Sequence, residues 1–199
     1  KLMVCVLAGQ GVGAGLVDGG RPIRGALGCA GEMGHMSLDV HGPRCDCGNF
    51  GCLEKYASTL ALEKRMAEAL VERPEHPLYG LTPGYREILK AVREGDALAV
   101  QLFTEAATYL GYGIVNIVNL LNPDIVVVTD SMAECDELMR EVLERTVRSR
   151  LSEKILSRTK LVVKPSSEYL AMQAATSLIV DMFLSSPIDA EAEGGGEAP

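Results

Sequence analysis

Residues 31–54 read Gly31-Glu32-Met33-Gly34-His35-Met36-Ser37-Leu38-Asp39-Val40-His41-Gly42-Pro43-Arg44-Cys45-Asp46-Cys47-Gly48-Asn49-Phe50-Gly51-Cys52-Leu53-Glu54. One imidazole and three thiols, from His35, Cys45, Cys47 and Cys52, fall within eighteen residues, and from Gly42 to Cys52 there is too little apolar side chain to pack a core. Such a loop keeps its shape only if something cross-links it, and Cys3His is a standard tetrahedral zinc set. A disulfide framework fits worse: Cys-x-Cys spacing strains a direct bridge, three thiols are an odd number, and nothing in the chain points to secretion. A closed Cys3His set leaves no open coordination position, so the zinc is expected to be structural, not hydrolytic. Cys5, Cys29 and Cys135 lie in apolar contexts and read as small buried hydrophobes.

Upstream of this stretch, Leu2 to Ala8 is β-rich and runs into Gly9-Gln10-Gly11-Val12-Gly13-Ala14-Gly15, then Leu16-Val17, the turn Asp18-Gly19-Gly20 and Arg21-Pro22-Ile23. Asp-Gly between short apolar runs predicts a hairpin, so an antiparallel meander opens the domain. Downstream, Leu53 to Leu70 reads as one helix. A Pro- and Gly-rich connection over 72–84 leads to a helix through Tyr85, Ile88, Leu89 and Val92. Apolar residues from Leu102 to Leu121 then recur at helical spacing over five turns. That helix stops at Asn122-Pro123, and the β-branched run Asp124 to Thr129, with no alternation, reads as a strand buried on both faces. A helix over 136–150, a short strand over 160–164 and a last helix over 169–184 complete the α/β pattern. Residues 186–199 are acidic and glycine-rich and are expected to be a disordered tail. His41 and His76 fall in loops without a partner set and read as exposed.

The 199 residues carry 27 acidic and 19 basic side chains, a net charge of −8, and 47% of them are hydrophobic. That describes one globular domain able to bury its own core. With no block of Lys and Arg, the piece is not built to grip a phosphate backbone, and 5% aromatics without Trp argues against stacking platforms for single strands. No apolar run spans a bilayer, since Asn116 and Asn119 interrupt the best candidate, so no membrane partner is expected. The chain opens at Lys1 inside a strand pattern and reads as a fragment of a longer, cytoplasmic protein.

The Gly-Glu-x-Gly-His stretch, the Cys-x-Cys-Gly-x-x-Gly-Cys-x-Glu cluster, the glycine turn and the Leu-Asn-Pro-Asp strand entry together resemble the ROK family, which joins sugar kinases with sugar-responsive transcriptional repressors. The resemblance covers most of the chain. It implies an actin-like ATPase (ribonuclease H-like) fold, of which residues 1–185 would form the C-terminal lobe: a mixed sheet, flanking helices and a zinc-stabilised loop. It also implies that Glu32 and His35 meet hydroxyls on one side of a sugar ring and that Glu54 reaches the same region. The chemistry agrees, because carboxylates accept from hydroxyls and an imidazole tied to a metal by one nitrogen presents the other in a fixed direction.

Two places depart from the family's kinases. Gly9, Gln10, Gly11 and Gly13 match the position of a phosphate-binding turn, whose bare amides can approach an anion, or form simply a tight strand connection. Where the kinases show Gly-Thr-Gly, this chain has Gly9-Gln10-Gly11, and its second nucleotide element runs into Thr129-Asp130-Ser131 instead of paired glycines. An aspartate there adds negative charge and a Cβ where a nucleotide wants neither. A chain that keeps the sugar set and loses nucleotide features reads as the sugar- or sugar-phosphate-sensing lobe of a homo-oligomeric ROK regulator, touching DNA only through a missing N-terminal domain. The alternative is the C-terminal lobe of a sugar kinase using Mg-ATP, with its catalytic base upstream of Lys1 and this fragment inactive alone.

Overall fold

The computed structural model describes residues 1–165; the expected helix over 169–184 and the expected tail over 186–199 lie outside the described residues. The β-rich opening forms β1 (Leu2–Ala8) and β2 (Val12–Asp18), antiparallel with Val6 opposite Ala14, and the Asp18-Gly19-Gly20 turn leads into β3 (Arg21–Pro22). The turn after β1 is shorter than the glycine run suggested. It spans only Gly9–Gly11, and Gly13 and Gly15 are strand residues opposite Leu7 and Cys5. Ladder hydrogen bonds to β1 outweigh the low strand propensity of glycine.

The expected single helix over Leu53 to Leu70 is two, α1 (Glu54–Ala57) and α2 (Thr59–Leu70). Ser58 breaks it: its backbone is extended and its hydroxyl accepts from Ala61 N–H, which makes it the N-cap of α2. The bend is held from outside, since Thr59 N–H donates to Gly9 O at 2.8 Å. The next two helices follow expectation as α3 (Tyr85–Arg93) and α4 (Ala97–Leu121). Asp96 caps the start of α4 by accepting from Ala99 N–H at 2.8 Å, and Asn122, left-handed at φ 46°, ends it before Pro123.

The chain then enters β4 (Ile125–Thr129), parallel to β1. It continues through α5 (Asp136–Arg148) and the short α6 (Glu153–Leu156) to β5 (Lys160–Val163), parallel to β4. The five strands order as β3-β2-β1-β4-β5, a mixed sheet. Its core side contributes Val4, Val6, Ala8, Val126 and Val128, packed in one cluster with Phe103, Leu110 and Ile114 of α4 and Met139 and Leu143 of α5. The expectation of a β4 buried on both faces is corrected here. Val126 and Val128 are buried, while Ile125 and Val127 are half-buried, because α4 and α5 join the cluster with alternate residues of the strand. No described helix is long and apolar enough to cross a membrane.

Candidate functional site

The 31–54 stretch is bolted to the core at both ends. Met33 and the fully buried Leu53 pack against Gly113 of α4, where a Cβ would collide with Leu53. Along β2, Ala14 N–H donates to Gly31 O at 2.7 Å, and Gly34 sits so close to Val12 O that no side chain fits. The glycines of this stretch therefore let it lie against strand backbone. Met33–His35 forms a 3-10 turn, which sets the direction of the imidazole.

The loop between the ligands is a small scaffold of bridges. Ser37 pairs with Cys52 and Arg44 with Phe50, Cys45 N–H donates to Asn49 O at 2.8 Å, and Asn49 donates to His35 O at 3.2 Å. His35 Nδ1 and the sulfurs of Cys45, Cys47 and Cys52 then lie within 4.8 Å of one another. Cys45 Sγ is 3.7 Å from His35 Nδ1 and Cys47 Sγ is 3.7 Å from Cys52 Sγ. Those are edges of a tetrahedron with bonds of about 2.3 Å, the zinc–sulfur length, and no cysteine is bridged to another. Burial and the neighbouring thiols push the Cys52 thiol up to about 12, whereas the Asn49 amide holds Cys47 below the usual thiol range. Three sulfurs and one imidazole nitrogen gathered this closely, with no disulfide among them, are a donor set that fits zinc. At the loop tip, Lys55 of α1 reaches Asp46 at 2.7 Å and holds its carboxyl low, a surface contact that orients more than it stabilises.

With Nδ1 facing the sulfurs, His35 Nε2 points to Glu32 Oε2 at 3.7 Å, and both side chains reach solvent. Glu32, exposed, and His35, half-buried, thus lie side by side. Glu54 comes to the same neighbourhood through Val12: its Oε2 accepts from Val12 N–H at 3.0 Å, while Val12 O faces Gly34. Nothing in the local sequence announced that bond, since it joins residues forty-two apart. Gly9, Gln10 and Gly11 form the turn at the end of β1, with Gln10 exposed, and Gly13 lies within β2. Gly9 and Gly11 each face a carboxylate: a Cβ on Gly9 would lie 2.6 Å from Asp130 Oδ2, and one on Gly11 would lie 2.5 Å from Glu54 Oε2.

Two expectations about lone residues fail. Cys29 is exposed, as are all its neighbours from Arg21 to Gly28, and Cys5 and Cys135 are only half-buried. His76 is not a free surface group: its Nδ1 accepts from Leu78 N–H at 3.1 Å and its Nε2 is 3.1 Å from Asp96 Oδ2, so it ties the 72–84 connection to the start of α4.

The model of the ROK family matches residues 1–181. The chain belongs to the ROK family. It is 30% identical over 182 residues to the xylose repressor of Bacillus subtilis (strain 168), covering 92% of this chain and 45% of that protein. It is 34% identical over 149 residues to the DNA-binding transcriptional dual regulator NagC of Escherichia coli (strain K12), covering 74% of this chain and 36% of NagC. The chain therefore spans less than half the length of these curated relatives. Among solved structures, a ROK family transcriptional regulator described as a homolog of the E. coli MLC protein superposes with a TM-score of 0.74 at 30% identity, over 81% of this chain and 41% of that one. A ROK family glucokinase from Streptomyces griseus in complex with glucose and AMPPNP gives 0.76 at 28% identity, over 89% and 60%. The ROK kinase neighbours and the sheet order place this chain in the actin-like ATPase class of folds.

Proposed function

We propose that this chain is the effector-binding and oligomerisation domain of a ROK-type transcriptional regulator, the part that senses a small sugar or sugar phosphate. The observation that carries the reading is the Cys45–His35–Glu32 relay: one ring nitrogen faces the cysteine cluster and the other faces an exposed carboxylate. Glu32, His35 and Glu54 bind the sugar by accepting from and donating to its hydroxyls. Zinc held by His35, Cys45, Cys47 and Cys52 fixes the ring and supplies no reacting group. Support for a regulator comes from the xylose repressor and NagC, both matched at 30% identity or better. DNA is contacted by another segment of the intact, cytoplasmic protein, and sugar acts by preferring one arrangement of the oligomer over another.

A second reading, the C-terminal lobe of an ATP-dependent ROK sugar kinase, draws on the superposition with the glucokinase. Gln10 in the glycine turn and Asp130 beside it speak against that reading. The experiment is calorimetric titration of the intact protein and its Glu32→Gln variant with pentoses, hexoses, amino sugars and their phosphates. A sensor binds one of these, and E32Q binds it about tenfold more weakly with its zinc content unchanged. Equal affinity in E32Q would remove Glu32 from the site.

A further inference from the structure

Between the cysteine loop and the start of α2 lies a cavity of about 280 Å³, just under the size of pockets that hold a drug-sized ligand. Its charged lining is Arg44, Asp46, Glu54, Lys55 and Lys64, three cations against two carboxylates. Both carboxylates are already engaged: Asp46 takes Lys55 at 2.7 Å, and Glu54 Oε2 accepts from Val12 N–H at 3.0 Å. The other cations are not. Lys64 meets Glu68 only at 3.8 Å and in solvent, and Arg44 forms no ion pair among the described residues.

The same cavity is lined by Ser58, Leu60 and Ala61, the cap and first turn of α2. The first amides of a helix have no acceptor within it. Here Thr59 N–H goes to Gly9 O and Ala61 N–H to Ser58 Oγ, which leaves Leu60 N–H without an acceptor among the described residues. Ser58 is only 2% exposed, and while its hydroxyl oxygen accepts from Ala61, its proton meets no acceptor among the described residues. An unpaired guanidinium, an unspent amide, a buried hydroxyl proton and the positive end of a helix dipole thus border one space. All four call for an acceptor that carries negative charge.

We propose that this cavity binds a phosphate monoester, so that the lobe senses a sugar phosphate in preference to the free sugar. The inference rests on the sugar-sensing reading and names its ligand class. Glu54 joins the two sites: it lines the cavity and belongs to the proposed sugar set, so a sugar held at Glu54 brings its phosphate to the cavity. A monoester suits the volume better than a nucleotide, since about 280 Å³ takes a phosphoryl group and the edge of a sugar ring, but not a base and ribose besides.

The test is calorimetric titration of the intact protein and its Arg44→Gln and Lys64→Gln variants. The probes are xylose, glucose and N-acetylglucosamine, each free and as its phosphate monoester, and inorganic phosphate alone. One of the esters is expected to bind at least about tenfold more tightly than its parent sugar. R44Q is expected to weaken that ester about tenfold and K64Q about threefold, with free-sugar affinity and zinc content unchanged in both. Both side chains are exposed, so the variants are expected to fold, and thermal melting checks it. Free sugars binding as tightly as their esters, or ester affinity unchanged in both variants, would overturn the proposal and leave the sensor reading standing. If no sugar or ester binds, the sensor reading falls and inorganic phosphate decides the cavity. Binding to wild type that is lost in R44Q and K64Q keeps the phosphate site, and silence toward phosphate overturns it.

Discussion

Gly11→Ala places a methyl group 2.5 Å from Glu54 Oε2, where ordinary contact begins at 3.4 Å, so the oxygen must retreat by about 0.9 Å. That stretches its 3.0 Å bond from Val12 N–H beyond hydrogen-bond range. A hydrogen bond to a charged group contributes about 1.5–3 kcal/mol. Glu54 sits at the end of a flexible, half-exposed side chain, so the carboxylate swings into water and the fold loses little of this. On the proposed reading the sugar needs this carboxylate in place, so its binding is expected to lose most of that energy, about 10- to 100-fold in affinity. Gly13→Ala is the control, because nothing lies within 4 Å of its new Cβ and a strand glycine gains from the change. The assay is calorimetric sugar affinity of the intact protein, with thermal melting and zinc content measured alongside. An affinity in G11A within twofold of wild type, or an equal loss in G13A, would refute the role given to the Val12–Glu54 bond.

Elemental analysis of the intact protein is expected to return about one zinc per chain, and Cys52→Ser to lose it together with amide protection over residues 43–52; a metal-free chain that keeps this protection would contradict the site. Leu53→Ala empties a fully buried position against Gly113 and should lower stability by about 3 kcal/mol in denaturant titration, and a cost under about 1 kcal/mol would mean the stretch is not anchored there. Asp96→Ala removes the cap of α4 and the partner of His76 and should cost about 1–2 kcal/mol by the same titration. Burial opposes ionisation of Asp96, but the Ala99 amide and His76 outweigh it and hold the carboxyl below its ordinary 3.8. Its stabilising contribution is therefore complete above pH 3.8 and disappears as pH falls through the lowered value, so Asp96→Asn should flatten the acid limb of the stability profile in that window.

The meander, α3, α4, β4, α5 and β5 were legible because periodicity and punctuation are local: Asp18-Gly19 turns the hairpin, and Asn122-Pro123 ends α4. The clustering of His35, Cys45, Cys47 and Cys52 was legible because four side chains of metal-binding type in a loop without a core have few other uses. The break at Ser58 was not, although a serine before an apolar run is a cap signal, because the deciding bond comes from Gly9 O on another element. The sequence marked Asp130 as foreign to a nucleotide site, but its positive φ and the nearness of its carboxylate to the space over Gly9 exist only in the folded chain, with β1 and β4 side by side. The same holds for His76, whose partner Asp96 is twenty residues away across a Pro-rich connection.

The most direct measurement is one calorimetric titration of the intact, zinc-loaded protein with the sugar panel in the presence of Mg-ATP. A sensing lobe gives a saturable heat of binding with one of the sugars that falls to the dilution baseline once sites are filled. Sustained heat from turnover after saturation would contradict it and make the protein a kinase, and no binding heat with any sugar would contradict sugar sensing itself.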